Sequence, residues 1–116
     1  PAGEWAAGKP LRYTDGTGDV DAEGVAVVNG FVYVAAERNN AVNNVSRNSI
    51  LRYDPAQPGA TLTATREWNL TPDIPATGPN LGLEAITFVP DAYLVATNFR
   101  DESKGRTYSP ADYPNN

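Results

Sequence analysis

Residues 21–35, DAEGVAVVNGFVYVA, decide the fold. Val25–Val28 and Phe31–Glu37 are rich in β-branched and aromatic residues, and Asn29-Gly30 stands between them. An Asn-Gly pair flanked by such runs is the strongest short-range hairpin signal, because both residues tolerate the positive φ of a two-residue turn. The phrase returns as GLEAITFVPDAYLVA over residues 82–96, aligned without a gap at an offset of 61 residues. Glu23/Glu84, Val28/Val89, Val34/Val95 and Ala35/Ala96 are identical, and most other positions exchange like for like. Pro90-Asp91 takes the turn position of the second copy. A carboxylate thus heads both copies.

Outward from the first hairpin, Ser49–Tyr53 reads as a short strand closed by Asp54-Pro55 and Pro58-Gly59. Thr61–Leu70 alternates Leu62 and Ala64, then Trp68 and Leu70 after a slip of register, which suggests an outer strand. Thr71–Leu81 is a loop punctuated by Pro72, Pro75, Gly78 and Pro79. Leu83–Val89 and Tyr93–Phe99 then restart the hairpin, and the polar stretch after Phe99 carries no clear element. Helical periodicity is nearly absent.

Four short strands joined as hairpins, followed by a restart, are the signature of propeller blades. The expected fold is all-β, an incomplete β-propeller of about one and a half to two four-stranded blades. It forms a single partial domain over residues 1–116, with a first repeat at about 21–70 and a second starting at about 82. A duplicated β-sandwich is the alternative. Two blades cannot close a ring, so the remainder of the propeller, or a completing protein chain, is the expected partner.

Composition narrows the chemistry. With 41% hydrophobic and 20% charged residues the chain is globular rather than disordered. Its net charge of −5, with basic residues scattered, argues against a nucleic-acid surface. No apolar run is long enough for a membrane span. The absence of Cys removes disulfides and thiolate nucleophiles, and the absence of His excludes a Ser-His-Asp or Cys-His site within this chain. Any metal would have oxygen ligands, which favours hard divalent cations, calcium first. The chain begins at Pro1 without an initiator Met or a signal-peptide pattern, as expected of a processed product or an excised fragment. Asn44-Val45-Ser46 and Asn69-Leu70-Thr71 are glycosylation sequons.

In a propeller the first strand of each blade lines the central channel. Glu23 and Glu84 then stand at the same end of neighbouring innermost strands and converge at the channel mouth. Crowded carboxylates repel, forcing one to protonate, and a bound cation resolves the conflict. Asp21, Glu37, Asn80 and Asn98 are further oxygen donors expected at that rim. Glu37 and Asn98 each end a second strand, so Glu23 with Glu37, and Glu84 with Asn98, are expected cross-strand neighbours. The structural alternative is that these side chains cap backbone amides or pair with an Arg, Arg38 being adjacent to Glu37. Asp15–Asp19 has the composition of a calcium loop but lacks the glutamate and helices of an EF-hand, and reads as a turn.

GDVDAEGVAV, VYVAAER, SILRYD and NLGLEAITFVPDAYLV together resemble the bacterial family called esterase-like activity of phytase. The resemblance covers nearly all of residues 18–115, and is most specific at Asp21-Ala-Glu23-Gly24 and Asn80–Ile86. It implies a secreted, periplasmic or cell-surface β-propeller protein. It also implies metal-assisted hydrolysis of a small phosphoester or ester, with Glu23 and Glu84 as metal ligands. A looser similarity links Glu23-Gly24 to the senescence-marker and gluconolactonase propellers, where a Glu-Gly supplies a ligand; Ala85 after Glu84 departs from that pattern. Two readings compete. One is a metal-dependent hydrolase; the other is a non-catalytic, calcium-stabilised binding or assembly module.

Overall fold

The computed structural model describes residues 5–42 and 45–114. Asn29 and Gly30 both take positive φ, 50° and 81°, and turn the chain between two nine-residue strands. In chain order the strands are β1 (Leu11–Arg12), β2 (Val20–Val28), β3 (Phe31–Asn39), β4 (Ser46–Tyr53), β5 (Leu62–Thr63), β6 (Arg66–Asn69), β7 (Arg100–Asp101) and β8 (Arg106–Thr107). A short helix, α1, spans Asp91–Ala96, and a 3-10 turn spans Pro110–Asp112.

Strands β2, β3, β4 and β6 form one antiparallel sheet in that order, the four-stranded meander of a propeller blade. Central strand β3 runs Val34-Ala35-Ala36-Glu37 fully buried, as a strand covered on both faces must. Against one face lies the parallel pair β1–β5, with Leu11 opposite Leu62. Tyr13, Val34, Leu51, Tyr53, Leu62 and Ala64 make the core between them. Each large side chain buried there contributes about 1.5–3 kcal/mol. Two tyrosine hydroxyls tie the layers: Tyr13 donates to the Arg38 carbonyl at 2.9 Å, and Tyr53 to the Arg12 carbonyl at 3.2 Å. Burial pushes the Tyr13 hydroxyl up to about 12, so it stays a donor at physiological pH.

The Thr61–Leu70 strand is broken in two. β5 pairs with β1 and β6 with β4, which is where the slip of register between Ala64 and Trp68 comes from. The second hairpin is corrected outright. Residues 83–90 form no strand, and the stretch expected as its second strand opens with helix α1. The turn chemistry explains this. The favoured two-residue hairpin turns need φ > 0 at the first central position, and Pro90 is locked near −64°. Extended Pro90 instead starts the helix, its carbonyl accepting from the Tyr93 and Leu94 amides, and Asp91 favours the first turn. The polar tail after Phe99 does form the small β7–β8 ribbon.

The radius of gyration is 16.1 Å, against about 13 Å for a compact domain of this length. Val25 and Val27 on edge strand β2 are 65% and 71% exposed. The Asp15–Thr17 segment is the turn expected, with the Asp15 carboxylate accepting from both the amide and the hydroxyl of Thr17. Sequon residue Asn44 lies outside the described residues. Among those described, no helix is long and apolar enough to cross a membrane.

Candidate metal centre

Strands β2 and β3 pair in step from Val28/Phe31 to Gly24/Ala35, then lose register twice. Ala22 pairs with Ala36 and Asp21 with Arg38, leaving Glu23 and Glu37 as the unpaired residues of two adjacent irregularities. Such bulges bend a strand and re-aim its side chains. Their effect here is convergence: ligand oxygens of Asp21, Glu23 and Glu37 all lie within 4.8 Å of one another.

The three acids are held differently. Asp21 accepts from Arg38 Nε at 2.6 Å and from Asn40 Nδ2 at 3.2 Å. Glu37 is 2% exposed, and its carboxylate accepts the Gly82 amide at 2.9 Å. Glu23 is exposed, and among the described residues no hydrogen bond reaches its carboxylate. Loss of water around it raises its carboxyl above the ordinary glutamate range, and the charges of Glu37, Asp21 and Glu84 raise it further, with only Arg38 opposing. An apolar cavity of about 360 Å³ adjoins Glu23, lined by Leu11, Gly24, Val34, Tyr53 and Leu62 among others.

The second acid-headed copy docks against this end of the blade without forming a hairpin. A Cβ added at Gly24 would stand 2.8 Å from Ala85 Cα, so the heads of the two copies touch backbone to backbone. Gly82 is clamped between Glu37 and Asn48, and the Asn48 Oδ1 accepts the Leu83 amide at 3.2 Å. Glu84 stays outside the triad, exposed, but close enough for its charge to be felt at Glu23. Asn80 sits in the turn just before, at φ 76°. Asn98 lies at the left-handed end of α1, φ 51°, its amide donating to the Val95 carbonyl. With no second strand there, the expected Glu84–Asn98 cross-strand pair is not formed.

Arg38 pairs with Asp21, its direct cross-strand partner, rather than with its neighbour Glu37. The sequence reading missed Asn40, Asn48 and Gly82. Asn48 is 1% exposed, a polar residue inside a strand with no periodic signal to single it out.

Three carboxylates supplying hard oxygen donors within one small volume fit a divalent cation. Fold and site together define an all-β propeller-blade protein with an acidic cluster at one end of its inner strands. The chain belongs to the phytase-like family described as "esterase-like activity of phytase", whose family model matches residues 5–107. No curated protein and no solved structure matches the chain.

Proposed function

We propose that the chain provides a divalent-cation centre, filled by calcium, within an exported β-propeller that hydrolyses esters or phosphoesters. The observation carrying this reading is the crowding of Asp21, Glu23 and Glu37, whose ligand oxygens lie within 4.8 Å of one another; loss of water and then the neighbouring acids raise the Glu23 carboxyl. A cation relieves that cost, whereas a purely structural cluster has no reason to keep it. Asp21 and Glu37, pinned by Arg38, Asn40 and Gly82, would hold the ion in a fixed frame, with Glu23 closing on it. Glu84 would add charge from the edge. A hard cation supplies Lewis acidity, polarising an ester or phosphoryl oxygen and making water a better nucleophile at neutral pH. The apolar cavity beside Glu23 gives room for the body of a small ester. Family membership supports the reaction class and export from a bacterial cell.

Turnover of nitrophenyl acetate and nitrophenyl phosphate, with calcium and with chelator, tests the reading. Glu23→Gln is expected to abolish calcium-dependent turnover while the chain stays folded at the assay temperature; unchanged turnover in that variant sinks it. A second reading, a calcium-stabilised binding or assembly module, is favoured by the exposed Val25 and Val27 on an unpaired edge. It predicts calcium binding with no turnover, together with self-association or partner capture in size-exclusion measurements.

A further inference from the structure

On the face of the sheet turned away from the β1–β5 pair, Arg52 of β4 and Arg66 of β6 are direct cross-strand partners. Like charges in that register repel. Arg12, Arg38, Arg47, Arg100 and Arg106 each have a carboxylate within salt-bridge distance. Among the described residues Arg52 and Arg66 have none. Both are nonetheless held in place. Arg52 lies over the Phe31 ring at 4.8 Å and donates its Nε to Thr65 Oγ1 at 3.0 Å, and among the described residues its terminal nitrogens make no hydrogen bond. Arg66 lies over the Trp68 ring at 4.7 Å, and Trp68 stacks on Tyr33 with ring centroids 6.2 Å apart.

Arg52 and Arg66 both line one cleft of about 480 Å³. Its sheet wall carries Tyr33 and Trp68; the facing wall carries Phe88, Val89, Leu94 and Tyr108. Asp91 also lines it, but its carboxylate accepts the Tyr108 hydroxyl at 2.8 Å. Two oriented cations beside stacked aromatic rings define a ligand with a flat apolar body and an anionic head. A carboxylate's two oxygens are satisfied by a single guanidinium fork. Two neighbouring guanidiniums supply enough donors for the three terminal oxygens of a tetrahedral oxyanion. Arg52 is also paired with Tyr33 in the sheet, four residues from Glu37 along β3, or about 13 Å. The cleft is thus separate from the acidic triad.

We propose that this cleft binds an aromatic phosphate or sulfate monoester through Arg52 and Arg66, with the ring lying against Trp68 and Tyr33. Isothermal titration of the whole chain in EDTA tests this, because chelation removes any role of the triad and any turnover. The ligands are naphthyl phosphate, naphthyl sulfate, naphthol and inorganic phosphate. One of the two naphthyl esters should bind at least about tenfold tighter than naphthol and than inorganic phosphate, and the tighter ester identifies the head group. Arg52→Gln and Arg66→Gln should each weaken that binding about tenfold with the sheet intact by circular dichroism, since each loses a ring contact but relieves a like-charge one. Rising salt should weaken binding to the unmodified chain, a readout that needs no variant. Equal affinity for naphthol or for inorganic phosphate, unchanged affinity in both Arg variants, salt-independent binding, or no binding of either ester would each overturn the proposal. Failure here leaves the calcium-dependent turnover of the triad untouched, and the reverse also holds.

Discussion

The buried carboxylate of Glu37 accepts the amide of Gly82 at 2.9 Å, joining the inner end of the blade to the head of the second acidic repeat. Asn48 completes the clamp from β4, receiving Leu83 through its Oδ1 and donating from Nδ2 to Thr77 Oγ1 at 3.4 Å. The contact is close enough that only hydrogen fits on the Gly82 Cα.

Gly82→Ala should therefore be costly. The added methyl would lie 1.9 Å from Asn48 Oδ1 and 2.8 Å from Glu37 Cβ, both on buried side chains. A loss of about 2 kcal/mol, or roughly 8 °C in melting temperature, is expected by thermal unfolding. Accommodation with no loss would mean the clamp is loose.

Glu23 gives a pH signature. Its folded-state carboxyl is raised by desolvation and by Glu37, Asp21 and Glu84, so the folded chain holds its proton more tightly than the unfolded chain. The stability it contributes is present below the unfolded pKa and is lost as pH rises through the folded one. In EDTA, Glu23→Gln should become more stable relative to the parent as pH rises from about 3.5 to about 7. With calcium present the order should reverse. Urea denaturation at each pH measures both.

Glu67 has the opposite sign. Burial would raise its carboxyl, but Arg47, bonded at 2.9 and 2.7 Å, and Ser49, at 2.8 Å, outweigh it and hold the carboxyl below its usual range. Its contribution is present above the unfolded pKa and lost as pH falls through the lowered folded one. Glu67→Gln should cost about 1 kcal/mol near neutral pH, a modest figure because water screens the partly exposed Arg47. The cost should fade in acid. Urea midpoints of parent and variant across that range check the sign.

Gly24→Ala tests whether the two repeat heads act together. The new Cβ would meet Ala85 Cα at 2.8 Å and the Ile86 amide nitrogen at 2.9 Å, backbone atoms that cannot turn aside. Pushing the 84–86 segment away should weaken calcium affinity about tenfold in a titration if Glu84 contributes to the site. An unchanged affinity would assign the site to the blade's own three acids.

How much of this was legible follows from the range of each cause. The first hairpin rests on Asn29-Gly30 and on residues a few positions away, and it forms with Val28 facing Phe31. The second copy shares four identities with the first but has Pro90 where positive φ is required, so its likeness in side chains does not extend to backbone. The proximity of Glu23 to Glu37 was readable from strand pairing, whereas the partner of Arg38 was not: adjacency in sequence put it beside Glu37, and the shifted cross-strand register put it on Asp21.

By itself the sequence determined an all-β chain, its leading hairpin and an acidic, His-free chemistry, because turn residues and strand alternation act locally. Only the tertiary structure decided that two register shifts bring Asp21, Glu23 and Glu37 together, that Gly82 is clamped by Glu37 and Asn48, and that Arg52 stands opposite Arg66. A single residue's change of register reverses which face a side chain occupies, and that register is set by contacts between segments distant along the chain.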